Sequence, residues 1–132
     1  MDPADRFIAA LNARDLDALA ECLHPDFEMV VPQKPNRGFR GRDQELANMQ
    51  YLFETCPDMT VSLLRKCVGG DEIWTETTAT GTNLDVAACV IWRIDPATDT
   101  LRSGRHYADA VQHDALGIDD YMRSLPADDS GG

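Results

Sequence analysis

The sequence predicts an α+β domain in which a strongly curved antiparallel sheet packs against three helices from the N-terminal and central chain. Three observations predict it. Three stretches of helical periodicity precede Pro57, a run of hairpin-linked strands follows them, and one of those strands, Val86 to Ile94, is apolar enough to be central. Helices on one side of a bent sheet enclose a cone, and the interior of a cone is a natural small-molecule pocket.

Each element has its own signal. Asp2-Pro3 opens a helix, because Asp caps free N–H groups and Pro tolerates the first helical position; Phe7, Ile8 and Leu11 then recur at helical spacing to Ala13. A second helix starts at Asp15, with Leu16, Leu19, Ala20 and Leu23 on one face, and His24-Pro25-Asp26 ends it. Phe27 to Val31 is a short strand and Gln33 to Gly41 a loop rich in Pro, Gly and Arg. Asp43 caps a third helix carrying Leu46, Met49, Leu52 and Phe53. Strands are predicted over Thr60 to Val68, Ile73 to Thr80, Val86 to Ile94 and Leu101 to Val111. Gly69-Gly70-Asp71, Gly81-Thr82-Asn83 and Asp95 to Asp99 turn the chain between them. Ile118 to Leu125 reads as a short amphipathic helix.

Composition excludes several function classes. The chain of 132 residues carries 23 acidic against 12 basic residues, a net charge of −11, which repels phosphate backbones and anionic membranes. Arg37, Arg40 and Arg42 form the one local basic cluster and read as a solvated turn. No stretch approaches the roughly 20 apolar residues of a membrane span. The N-terminus has no basic region followed by an apolar run, so the expected compartment is the cytoplasm. Cys22, Cys56, Cys67 and Cys89 show no metal-ligand spacing with each other or with His24, His106 and His113. They read as reduced thiols, and neither a metal nor an organic cofactor is expected.

Specific segments carry a resemblance. Arg6 to Leu19 resembles the opening of a ketosteroid isomerase; His24-Pro25-Asp26-Phe27-Glu28 and Gly38-Phe39-Arg40-Gly41-Arg42-Asp43 resemble SnoaL-like polyketide cyclases. Arg105-His106-Tyr107-Ala108-Asp109 resembles the final-strand motif of limonene epoxide hydrolases. All belong to the nuclear transport factor 2-like superfamily, so the resemblance implies a cystatin-like cone fold, with one SnoaL-like domain over residues 1–125 and a disordered tail over 126–132. It also implies a homodimer through the outer sheet face, where Trp92 and Tyr107 are expected. In the ketosteroid isomerase comparison the polar catalytic positions become Phe7, Val31 and Val90, which excludes that chemistry. The epoxide hydrolase Arg and Asp fall near Thr77 and Ala79, and its second Asp at His106. The cyclase ending would match Tyr107-Ala108-Asp109. The comparisons disagree over which of His106 and Asp109 faces the cavity, and the parity that two families share favours His106.

The candidate catalytic residues are therefore His106, Asp109 and Glu28. Desolvation in an apolar pocket would keep His106 neutral and able to accept a proton. Asp109 would assist, or merely cap the turn that follows or pair with Arg105. Glu28 would orient the imidazole if it faces inward, and its plainer reading is an outward residue of an edge strand. The expected substrate-binding wall is Phe7, Val31, Met49, Phe53, Thr77, Ala88, Val90 and Ala108, with Thr75 and Ala79 in phase with Thr77. Two functions follow. One is a cofactor-free isomerase-, cyclase- or lyase-type enzyme acting by proton transfer on a hydrophobic carbonyl or polyketide-like molecule. The other is a non-catalytic module that binds a hydrophobic molecule or a protein partner.

Overall fold

The computed structural model of the chain describes residues 1–126. Of the tail expected over 126–132, all but Pro126 lies outside the described residues. Helix α1 (Pro3–Ala13) starts as its cap residue dictates: Asp2 accepts from the Asp5 N–H at 2.9 Å, and Asp5 accepts in return from the Asp2 N–H at 3.2 Å. Lys66 reaches both carboxylates, at 2.8 and 2.9 Å, and ties the helix start to the sheet. Arg14 adopts the left-handed conformation, φ 53°, and reverses the chain into α2 (Leu16–Cys22), which Asp15 caps.

Strand β1 (Leu23–Val30) follows α2 directly, so Pro25 lies inside a strand instead of ending a helix. The pairing of β1 is irregular between Leu23 and Glu28, where Pro25 has no N–H to give the ladder. The expected loop over Gln33–Gly41 contains a short 3₁₀ turn, Pro35–Arg37, and a two-residue strand β2 (Phe39–Arg40). Helix α3 (Arg42–Thr55) is capped by Gly41 and not by Asp43, which sits in its first turn. Gly41 has φ 99°, a conformation that suits glycine. Four hairpin-linked strands follow: β3 (Thr60–Gly69), β4 (Glu72–Gly81), β5 (Leu84–Asp95) and β6 (Thr100–Ala110). Helix α4 (Ile118–Ser124) comes last and buries none of its residues.

The sheet has six strands in the order β2-β1-β6-β5-β4-β3. Its junctions are antiparallel, as expected, except β1–β6, which is parallel with Met29 opposite Gly104. Parallel pairing needs a long crossover, and here the whole chain from α3 to β5 supplies it. Among the described residues no helix is long and apolar enough to cross a membrane.

The core lies between the helices and the concave face, where Leu19, Phe27, Ile73 and Leu101 are inaccessible to solvent. Trp92 belongs to this core and not to the outer face. It is in phase with Ala88 and Val90 along β5, which alternation forces inward, and it lies 5.0 Å from Phe7 and 6.3 Å from Phe27 between ring centroids. Its indole N–H donates to the Thr75 hydroxyl at 3.1 Å, which makes burying the polar edge tolerable. Tyr107 does face outward, beside Arg105. Gly104 is what lets the indole approach β6 closely, because a Cβ there would meet the Trp92 ring and the Met29 sulfur at 3.2 Å. Gly104→Ala should therefore destabilise the fold by about 1–3 kcal/mol, as overpacking does, read by urea denaturation.

Candidate active site

Burial falls along the concave face. Ile73, Thr75, Val90 and Trp92 are buried, whereas Thr77, Ala79, Ala88, Val86 and Leu84 are half-buried. The strands therefore enclose a cavity of about 260 Å³ that is closed at the Trp92 end. Helix α1 contributes Phe7, Ile8 and Leu11 to its wall, β1 Met29, and α3 Glu45, Met49 and Leu52. Among the described residues, the polar side chains of the wall are Glu45, Thr75, Thr77 and His106, beside the Trp92 indole.

His106 enters from β6, opposite Val90, which is itself opposite Thr75. Burial lowers its pKa below the ordinary 6.5, so the imidazole is neutral near pH 7. Glu45 enters from the first turn of α3 and is only 3% exposed. No charge or donor offsets that burial, which pushes its carboxyl up to about 7 from the ordinary 4.5. Among the described residues no protein group hydrogen-bonds to Glu45 or to His106, in contrast with Thr75, whose hydroxyl donates to the Val90 carbonyl and accepts from Trp92.

Of the expected wall, Phe7, Met49, Thr77, Ala88 and Val90 line the cavity with His106. Val31 does not, because β1 ends at Val30 and the chain turns away; Val31 lines a separate outer groove with Glu28, Phe39 and Arg40. Phe53 packs against the core from the neighbouring stripe of α3, and Leu52 takes the wall position. Ala108 keeps the inward phase of His106, but the cavity follows β4 and β5 at that level. Glu28 faces away from the cavity, pairs with Arg40 at 3.3 Å and so cannot orient His106. Asp109 is exposed and accepts from the Ala110 N–H at 2.8 Å within β6. Glu45 was absent from the expected residues. Its signal was helical spacing, since Glu45, Met49 and Leu52 stand at i, i+4 and i+7 on one face.

Residues 4–99 match the SnoaL-like domain family. No curated protein sequence matches the chain significantly. Among solved structures, a SnoaL-like protein of unknown function from Burkholderia thailandensis superposes with a TM-score of 0.69 at 21% identity, over 81% of this chain and 91% of that one. A protein of unknown function with a cystatin-like fold from Methylobium petroleophilum gives 0.73 at 17% identity, over 97% and 91%. A provisionally assigned ketosteroid isomerase from Kribbella flavida gives 0.72 at 17% identity, over 95% and 88%. These likenesses establish the fold.

The two shifted groups act on stability with opposite signs. Glu45, with its folded pKa raised, contributes stability that is full below pH 4.5 and lost as pH rises through about 7, on the order of 3 kcal/mol for a shift of this size. His106, with its folded pKa lowered, contributes stability present above pH 6.5 and lost as pH falls. Between pH 5 and 7, Glu45→Gln should therefore gain stability with rising pH and His106→Asn should lose it, measured by chemical denaturation. Equal slopes in the two variants would contradict the placement of these groups.

Proposed function

We propose that this chain, which belongs to the SnoaL-like domain family, is a cofactor-free enzyme that moves a proton on a hydrophobic carbonyl compound held in the cavity, in isomerase, cyclase or lyase fashion. One observation carries the reading: two titratable side chains, Glu45 and His106, face one apolar cavity, and neither has a hydrogen-bond partner among the described residues. An acid–base site needs convergent groups of this kind with pKa values near the working pH.

The order of the two pKa values assigns the roles. Glu45, near 7, is the stronger base, so its carboxylate takes the proton α to the carbonyl as the C–H bond breaks and an enolate forms. Neutral His106 donates its N–H to the developing oxyanion. Returning the proton from Glu45 to another carbon gives an isomerase. Attack of the enolate on a second carbonyl carbon of the same molecule, whose C=O π bond opens to an alkoxide that takes the proton back from Glu45, gives a cyclase. Thr77 is a neutral polar contact for the remainder of the substrate.

The test is deuterium exchange from D₂O into neutral enolisable ketones such as 2-tetralone, followed by NMR. Exchange should rise with pH through about 7, the value for Glu45. Glu45→Gln should slow it by roughly 10²–10⁴-fold, and His106→Ala by roughly 10²–10³-fold. A midpoint below 6.5 would give the base role to His106. Exchange no faster than in buffer would leave the cavity to a non-catalytic binding module.

The proposed partner is a second copy of the chain on the outer sheet face. Trp74 stands there 48% exposed, opposite Ile91, an apolar patch that dimer formation would cover. Light scattering should report a dimer, and Trp74→Arg should shift it to monomer; a monomeric wild-type chain at tens of micromolar would contradict this.

A further inference from the structure

We infer that the substrate of this cavity is a compact, uncharged ketone or enone of one or two rings, and that anionic acids and polycyclic frameworks are excluded; the inference rests on Glu45 and His106 as the reacting pair. Size is the first argument. A cavity of about 150 Å³ accepts benzene, so one of about 260 Å³ holds roughly 10 non-hydrogen atoms at similar packing. A framework of four fused rings needs about twice that and would leave much of its apolar surface in water.

Charge is the second argument. Among the described residues the wall contains no Lys or Arg and one acidic group, which becomes an anion above pH 7. A carboxylate or phosphate placed there would be desolvated without a counter-charge, and would also meet the Glu45 carboxylate at close quarters.

Polar inventory is the third. The Thr75 hydroxyl is already engaged by Trp92 and Val90. Of the wall's polar side chains this leaves Glu45, His106 and the hydroxyl of Thr77, which has no hydrogen bond among the described residues. That set addresses one carbonyl and at most one further neutral oxygen. Ala88, between the Thr77 and His106 strands, leaves space above the sheet for a ring.

Calorimetry at pH 8 with three probes tests this: 2-tetralone, tetralin-2-carboxylate on the same ring frame, and a steroid ketone. Tetralone should bind about ten-fold or more tighter than either of the others. Glu45→Gln should restore much of the carboxylate's affinity at pH 8 and change it little at pH 5.5, where Glu45 is already protonated. Equal binding of the carboxylate, equal binding of the steroid, or no binding of tetralone would each overturn the assignment. Deuterium exchange in the same samples keeps the two readings apart. Selective binding without exchange overturns the proton-transfer enzyme and leaves the ligand class, whereas exchange without selectivity does the reverse.

Discussion

The indole of Trp92 fills the closed end of the curved sheet. It sits against Phe7 and Phe27, lies over Gly104, and is held in place by the hydrogen bond from its N–H to Thr75. Everything nearer the open end depends on that plug. It ends the hydrophobic core where the cavity begins, and it occupies the hydroxyl of Thr75, so that no ligand meets a polar floor. Above it the side chains of β4 and β5 shrink to Thr77, Ala79 and Ala88, which is why the strands leave a cavity there and not more core.

Glu45 is costly to that arrangement. A carboxylate buried without a donor destabilises the folded chain above neutral pH, and a Leu or Met at this position would pack the same stripe of α3 with no such penalty. Local rules broken without structural compensation tend to mark functional sites. The tension between stability and an unpartnered acid beside a neutral imidazole is what distinguishes this pocket from a gap between helices and sheet.

Much of the fold was legible because its signals are local. Gly69-Gly70-Asp71 and Gly81-Thr82-Asn83 mark hairpins whatever the rest of the chain does, and Asp2-Pro3 and Asp15 mark helix starts. The parallel β1–β6 pairing was not legible, since it joins strands from opposite ends of the chain. A large aromatic such as Trp92 on a strand suggests an interface, but its phase with Ala88 and Val90 sets it inward. His106 followed from alternation along β6. Glu45 was missed for a different reason: an acidic residue in the first turn of a helix normally faces solvent, and only the enclosing sheet removes water from it.

The proposed chemistry depends on the state of one carboxyl group, that of Glu45. The most direct measurement is a carbon-detected NMR titration of the glutamate side chains, with the Glu45 resonance identified by its loss in Glu45→Gln. The midpoint should fall at about 7. A midpoint at the ordinary 4.5 would mean that water or a partner reaches Glu45, and the proposed acid–base pair would lose its base.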